Sequence, residues 1–316
     1  MSRRALWSLL GALALLGLLG VWLLSARGTS GPRVLVGGGD GGGMPRAQPA
    51  EEHFDAVALE RVMRDPAADA LQALVVVRNG YIVLERYGHG ITGESVIDSG
   101  PFAEVLVALA AGVATQDASV QMPVMHGFDA QALRAAIEAG AKQRYEVYLS
   151  RSLWRRLNAA AAWIALPAPG AAAPADCCFH ARVLDWMRVA SLLVDDGRFE
   201  GKQVVPAGWV RRMQQPTDPR AVRGFGIELA PSANGAEPFA ASGVFFLRGP
   251  SRWRLWLVPG LKLAVLFGAE RPSAPAPGTA ETWDETRIPN LVIRALSDRP
   301  VQPGDLSELQ QLVPGH

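Results

Sequence analysis

The residues that could do chemistry in this chain are serines and carboxylates, and the amine that often activates a serine is missing. A serine attacks an acyl group only when a base lies within hydrogen-bond reach, and the pattern Ser-x-x-Lys supplies a lysine one helical turn away. The chain has three lysines, Lys142, Lys202 and Lys262, and none of them follows a serine by three residues. The sequence therefore excludes acyl transfer by a Ser-x-x-Lys pair.

Size and charge limit the other functions. The 316 residues suit one domain of moderate size with an added segment, and 31 basic against 30 acidic residues give a net charge of +1. Without an excess of positive charge, a nucleic-acid-binding function is not favoured. The adjacent Cys177 and Cys178 lack metal-ligand spacing, and we expect two small buried residues, because neighbouring cysteines rarely bridge. We predict neither a metal nor a cofactor.

An uncharged apolar run from Ala5 to Leu24 follows Arg3 and Arg4. A helix of this length spans roughly 30 Å, the thickness of a bilayer core. The basic residues before it predict a cytoplasmic N-terminus and a body on the extracytoplasmic, periplasmic side of the inner membrane. Residues 1–26 are thus predicted to be a cytoplasmic stub and a single-pass membrane anchor. A cleaved signal peptide is the alternative.

The rest of the chain divides by composition. Residues 27–52 are rich in glycine, with a run from Gly37 to Gly43 that is interrupted by Asp40, and this predicts a flexible tether. Residues 53–300 are predicted to form the folded domain, and residues 301–316 a C-terminal tail.

Within that domain, two β-rich runs flank Asn79-Gly80, the strongest short signal for a hairpin. Apolar or amphipathic segments predict helices, and two further apolar runs joined at Pro259-Gly260 predict strands. The predicted helices occupy residues 54–74, 105–114, 131–141, 182–194 and 282–296, and the two later strands occupy residues 254–258 and 261–267. This order is typical of an α+β fold with an antiparallel sheet.

Four stretches in this order resemble the class C β-lactamase-related family of esterases, DD-peptidases and 6-aminohexanoate-dimer hydrolase-like amidases. They are the hairpin Leu74–Tyr87, the stretch Tyr148-Leu149-Ser150 to Trp154, the stretch Cys177–Trp209, and Trp283-Asp284-Glu285 followed by Ile288-Pro289-Asn290. The resemblance implies a β-lactamase/transpeptidase-like fold, with a five-stranded antiparallel sheet between helices and a second helical lobe. In active members the site lies between the sheet and the lobe.

The resemblance also assigns the catalytic positions. Aligned on the helix before Gly112, Pro101 takes the position of the family's serine and Glu104 that of its lysine. The family's Tyr-x-Asn corresponds to Gly127-Phe128-Asp129, and the strand motif His-x-Gly or Lys-Thr-Gly has no counterpart within residues 242–253. Only fourteen residues separate Gly112 from Gly127, which predicts a shortened helical lobe at about residues 113–180.

We therefore expect a membrane-anchored pseudo-enzyme that binds an envelope protein or a peptidoglycan-like ligand. A residual or repurposed hydrolase is the alternative, with Ser99 as nucleophile and Asp98, Asp129 or His126 as base. A structural envelope protein without a ligand site is the third hypothesis.

Overall fold

The computed structural model describes residues 31–69, 71–117, 120–121, 127–218, 220–229, 237–269 and 284–298. Its α-helices are α1 Ala56–Arg64, α2 Pro66–Asp69, α3 Ala103–Ala114, α4 Ala130–Ala141, α5 Tyr145–Ser152, α6 Val183–Val194, α7 Ala207–Met213 and α8 Arg287–Arg294. Its strands are β1 Arg33–Val36, β2 Ala73–Arg78, β3 Tyr81–Tyr87, β4 Val96–Asp98, β5 Ala162–Ala165, β6 Phe179–Arg182, β7 Arg198–Phe199, β8 Lys202–Gln203, β9 Glu228–Leu229, β10 Phe245–Arg248, β11 Arg254–Val258 and β12 Leu263–Gly268. Short 3-10 helices occupy Pro49–Glu52, Gly100–Phe102, Trp154–Leu157 and Pro259–Leu261.

The larger sheet has the strand order β3-β2-β12-β11-β10-β9, and all its pairings are antiparallel. Because successive side chains on a strand point to opposite faces, its strands bury one residue set on each side. Val75 and Leu266 contribute to a core shared with α3 and α6, and Leu74 and Phe267 to a second core shared with α1 and α8. The predicted α+β class with an antiparallel sheet is confirmed.

The hairpin at the start of this sheet forms as the sequence predicts. Asn79 and Gly80 have φ values of 50° and 85°, the left-handed conformation that a tight two-residue hairpin turn requires. The β11–β12 pair and the predicted helices also form, but the first helical segment, residues 54–74, divides into α1 and α2 and ends at Asp69 before β2 begins.

A second sheet was not predicted. Its strand order is β1-β5-β6-β4, and it covers the side of the core opposite the larger sheet. Its inner face buries Val36, Ile164 and Phe179, while α6 lies between the two sheets and contacts both. The resemblance implied five strands, but the larger sheet has six. In addition, β4 to β6 form part of a second sheet within and beside the predicted lobe at residues 113–180.

The flexible tether predicted for residues 27–52 is wrong over its described part. β1 pairs with β5 from Arg33↔Ala165 to Val36↔Ala162, and the Gly39 amide donates to the Ala159 carbonyl at 2.7 Å. A Cβ on Gly38 would lie 2.4 Å from the Ala159 oxygen. These glycines therefore permit close packing of the backbone rather than freedom of the chain.

Two further predictions concern the cysteines and the anchor. Cys177 and Cys178 form a disulfide with each other, so the expectation of two unlinked buried residues is wrong. Cys178 has a φ of 68°, which turns the chain between them, and both residues are half-buried. The anchor predicted at residues 5–24 lies outside the described residues, and no helix among the described ones has the length and apolarity to cross a membrane.

Candidate functional site

Pro101 and Glu104, which the sequence resemblance assigns to the family's serine and lysine positions, lie at the start of α3. The 3-10 helix Gly100–Phe102 leads directly into α3, which puts Pro101 and Glu104 on successive turns beside β10. Pro101 is exposed and suits this first turn, because proline there sacrifices no helical hydrogen bond. Glu104 is the one residue of α3 that is not buried. The structure thus places both residues at one edge of the larger sheet.

The Glu104 carboxylate is held by an arginine that is distant in sequence. Arg223 Nη2 donates to Glu104 Oε2 at 2.5 Å. Burial raises the pKa of the Glu104 carboxyl, and the Arg223 guanidinium offsets this rise in part. A carboxylate in this setting is engaged by a cation, so it does not supply the free base that the lysine position provides in an acyl-transfer site.

Arg223 belongs to a tight hairpin of residues 222–229 that closes this edge of the sheet. The Leu229 amide donates to the Val222 carbonyl at 2.8 Å, and the second arm of the hairpin, β9, pairs with β10. At the turn, Gly226 has a φ of 67°, and a Cβ there would lie 2.7 Å from the Glu104 carbonyl oxygen. The hairpin therefore sits directly against the first turn of α3.

Behind the hairpin, buried and half-buried ion pairs link the sheet to the segment before α8. Arg248 donates to Glu228 at 3.2 Å and to Glu285 at 2.8 Å, and Arg254 Nε donates to Glu285 at 2.8 Å. Arg254 and Glu285 are buried, and burial lowers the pKa of the Arg254 guanidinium although Glu285 opposes this. Charged groups here satisfy one another rather than face a ligand.

The space left between these groups is very small. The cavity lined by Pro101, Glu104, Arg223 and Arg248 has a volume of about 10 Å³. A cavity of that volume holds about one water molecule. The space among these four described residues is therefore too small for an acyl substrate.

Ser99 lies in a buried position just before this site. Its side chain is fully buried, its amide donates to the Phe179 carbonyl at 2.9 Å, and its Oγ donates to the Gly100 carbonyl at 3.2 Å. The neighbouring Asp98 carboxylate accepts from the Gly100 amide at 3.0 Å. This geometry gives the Ser99 hydroxyl a backbone partner and does not favour its role as a nucleophile.

The second motif region meets the hairpin through an aromatic contact. The rings of Phe128 and Phe225 are 6.2 Å apart, so the stretch Gly127-Phe128-Asp129 does approach the site. Asp129 caps α4, however, because its carboxylate accepts from the Ala132 amide at 2.9 Å. His126, the third candidate base, lies outside the described residues. Asp129 therefore has a structural role in this arrangement.

The other stretches of the resemblance also build the fold. Trp154 Nε1 donates to the Ala160 carbonyl at 2.6 Å, Trp209 Nε1 to the Ala108 carbonyl at 2.9 Å, and the buried Asn290 side chain accepts from the Ala240 amide at 2.9 Å. Tyr148 packs in the core, as the sequence analysis expects of a structural stretch.

Sequence reasoning missed Arg223, Arg248 and Glu228, which fill the site. Arg223 is 119 residues from Glu104, and nothing in the sequence pairs them. The one local signal is Gly224-Phe225-Gly226, whose two glycines fit a tight turn. Within residues 242–253, the region that the resemblance assigns to the third motif, β10 carries Arg248. A Cβ on the next residue, Gly249, would lie 3.0 Å from the Phe102 ring, so this strand packs closely on the start of α3.

A larger cavity of about 240 Å³ lies elsewhere and contains none of the motif positions. It is lined by the hairpin turn at Gly80, by α6 and by Lys262, which pairs with Asp195 at 2.9 Å. We give it no catalytic role, because it lacks every residue that the sequence analysis assigns to catalysis. Within the described ranges, no group of three or more His, Cys, Asp or Glu side chains is placed to hold a metal ion.

Comparison with solved structures identifies the fold. The chain is similar to a Bacillus anthracis protein described as a 6-aminohexanoate-dimer hydrolase, at 12% identity and a TM-score of 0.62 over 90% of this chain and 93% of that one. It is similar to a penicillin-binding protein homologue from Caulobacter crescentus, at 8% identity and a TM-score of 0.55 over 81% and 100% of the two chains. It is also similar to a β-lactamase from Mycobacterium bovis, at 17% identity and a TM-score of 0.53 over 69% and 92%.

No protein-family model matches the sequence, and no curated protein is significantly similar to it. At these identities the structural likeness speaks for the fold, and the strand order with helices on both faces agrees with it. The chain has the β-lactamase/transpeptidase-like fold of serine hydrolases.

Proposed function

We propose that this protein is a membrane-anchored, extracytoplasmic pseudo-enzyme that uses a β-lactamase-like fold to bind a partner in the cell envelope rather than to cut a substrate. The partner class is an envelope protein or a peptidoglycan-like polymer. One observation carries the proposal: the hairpin of residues 222–229, with its Arg223–Glu104 ion pair, leaves a cavity of only about 10 Å³ beside Pro101 and Glu104.

The chemistry of the motif positions supports the loss of catalysis. Pro101 has no nucleophile, and Glu104 is an acid held by Arg223 where the mechanism needs an amine. Members of such a catalytic unit depend on one another, so losing one costs orders of magnitude in rate. Here the serine and the lysine are both replaced.

The cysteines support a location outside the cytoplasm. Cys177 and Cys178 are bonded to each other, and disulfides persist mainly in oxidising compartments such as the periplasm. The apolar run at residues 5–24, preceded by Arg3 and Arg4, provides the anchor in this proposal.

Covalent labelling tests the proposal. The structural neighbours include proteins named as a β-lactamase and a penicillin-binding protein homologue, so a fluorescent penicillin is the first probe and a fluorophosphonate the second. Both are applied to the full chain, with intact-mass readout and an active member of the family as positive control. We expect no adduct on folded protein.

A stoichiometric adduct would overturn the loss of catalysis. The variant Ser99→Ala then decides its site: an adduct that disappears in this variant would establish the repurposed hydrolase with Ser99 as nucleophile. An adduct that persists would point to a different nucleophile and remove Ser99 as a candidate.

A further inference from the structure

Four exposed arginines lie on β1 and on the segment that packs beside it. Many other arginines among the described residues are paired with carboxylates, as in Arg64–Glu60 and Arg134–Glu138, although Arg61 and Arg220 also form no ion pair there. By contrast, no ion pair is formed within the described residues by Arg33, Arg151, Arg155 or Arg156. All four are exposed. Their charges are therefore available to an external anion.

The structure brings these arginines to one surface. α5 lies beside the end of β1, where Ser150 Oγ donates to the Gly37 carbonyl at 2.6 Å. The Arg155 guanidinium lies against the same glycine, since a Cβ on Gly37 would be 2.9 Å from Arg155 Nη2. Arg151 and Arg156 both lie near enough to the Tyr148 hydroxyl to oppose the rise in its pKa that burial causes.

Apolar and aromatic side chains adjoin these charges. Leu35 on β1, the edge strand of its sheet, is 69% exposed. It faces outward opposite Trp163 on β5, and the Arg33 guanidinium lies 5.4 Å from the centre of the Trp163 ring. Tryptophan and arginine at a polar–apolar boundary are typical of membrane interfaces. We call Arg33, Leu35, Arg151, Arg155 and Arg156 the β1 surface.

The chain itself limits how far the β1 surface can be from the bilayer. Eight residues separate Leu24, where the predicted anchor ends, from Arg33, where β1 begins. An extended chain of that length spans at most roughly 30 Å. Because β1 is paired in the sheet, the residues from Arg33 onward belong to the folded body and do not lengthen the connection to the anchor.

We propose that the β1 surface docks on the anionic phospholipid headgroups of the membrane that holds the anchor, so that the body lies on the bilayer with a fixed orientation. This inference rests on the proposed anchor at residues 5–24. Its physical basis is the attraction of four unpaired guanidinium groups to anionic lipid, with Leu35 entering the interface. Docking on this face leaves α1 and α8, on the far side of the larger sheet, turned away from the bilayer.

A fluorophore on Leu35→Cys tests this docking in the full chain. The two native cysteines are bonded to each other, so the introduced thiol is labelled selectively. The protein is reconstituted into phosphatidylcholine vesicles with or without phosphatidylglycerol, and quenching by a headgroup spin-labelled lipid is measured. We expect quenching with phosphatidylglycerol, and its loss in high salt.

Two controls make the result specific. The triple variant Arg151→Ala, Arg155→Ala, Arg156→Ala loses the quenching, whereas Arg61→Ala, Lys202→Ala, Arg220→Ala, which removes the same charge from exposed positions elsewhere, retains it. A label on Val57→Cys, 60% exposed on α1, stays unquenched.

Flotation after a carbonate wash separates failure of the docking from failure of the anchor. A chain that floats while the label on residue 35 is unquenched in anionic vesicles would overturn the docking and leave the anchor in place. A chain that floats in low salt without the carbonate wash, but neither after that wash nor with the three arginine substitutions, would overturn the anchor and retain the surface. A chain that floats under neither condition would overturn both.

Discussion

Two arginine-rich regions of this molecule use the same side chain in opposite ways. At the β9–β10 edge of the larger sheet, Arg223, Arg248 and Arg254 each contact a carboxylate, and the cavity lined by Arg223 and Arg248 is small. On the β1 surface, Arg151 and Arg155 are exposed and contact no carboxylate within the described residues. The difference separates charges that hold the fold together from charges that remain available to a partner.

The largest effect is expected at the buried ion pairs. The variant Glu285→Ala leaves the buried Arg254 without this carboxylate, whereas the half-buried Arg248 keeps Glu228, and an unpaired buried charge is strongly unfavourable. We expect a loss of about 3–5 kcal/mol in the free energy of unfolding, measured by urea denaturation with tryptophan fluorescence. The matched control is Glu60→Ala, which breaks an exposed pair and should cost less than about 1 kcal/mol. Equal losses in the two variants would contradict the distinction.

A smaller effect is expected at the hairpin turn. Gly226→Ala introduces a Cβ against the Glu104 carbonyl at a φ of 67°, whereas Gly243→Ala introduces one at a φ of 68° with nothing within 4 Å. The left-handed conformation alone costs about 1–2 kcal/mol for alanine, so both variants lose that amount. The additional loss in Gly226→Ala reports the contact with α3. If the two variants unfold at the same urea concentration, the hairpin does not press on α3.

The pH dependence of stability gives a third test with a defined sign. Burial raises the pKa of Glu104 above its ordinary value of 4.5, so the folded state binds this proton more tightly than the unfolded state. Relative to Glu104→Gln, the unaltered chain is therefore most stable below pH 4.5 and loses stability as the pH rises through the folded-state pKa.

Asp65 supplies the opposite case. Its hydrogen bond with Arg287 lowers the pKa of the Asp65 carboxyl below 3.8. Relative to Asp65→Asn, the unaltered chain keeps its full advantage above pH 3.8 and loses it as the pH falls through the folded-state pKa. Urea denaturation across a pH series measures how the stability difference between the unaltered chain and each variant changes with pH. We expect changes of opposite sign for Glu104 and Asp65, and changes of the same sign would refute the assignment of the two environments.

The smallest effect on stability is expected on the β1 surface. Arg151→Ala, Arg155→Ala and Arg156→Ala remove exposed side chains that form no ion pair, so each should change the free energy of unfolding by no more than about 0.5 kcal/mol. Circular dichroism during urea denaturation measures this change. A large loss would mean that these arginines support the fold and are not reserved for a partner.

Local patterns in the sequence predicted the elements that are specified locally. Asn79-Gly80 defines a turn by the φ values those two residues accept, and the apolar spacing of Val183–Val194 defines a helix. The apolar helix on which the assignment of Pro101 and Glu104 depends was also predicted, and it is continuous and buried.

Features that depend on distant partners were missed. β1 is four residues long and pairs with residues 162–165, which are distant in sequence. The glycines after it resemble a linker in composition, but a side chain at Gly38 would collide with the backbone at Ala159. The Arg223–Glu104 pair likewise joins positions 119 residues apart. A net charge of +1 gave no indication that unpaired arginines collect beside β1.

Amide hydrogen exchange at the β9–β10 edge tests most directly whether the site is closed. In the full chain, we predict slow exchange in peptides that cover residues 222–229 and 245–248, where Phe245 pairs with Leu229 and Phe246 with Glu228. The exposed turn at His89 and Gly90 serves as the fast reference. Exchange at β9 and β10 as fast as in that turn would show that the hairpin leaves the edge open, and the claim of a closed, non-catalytic cleft would fail.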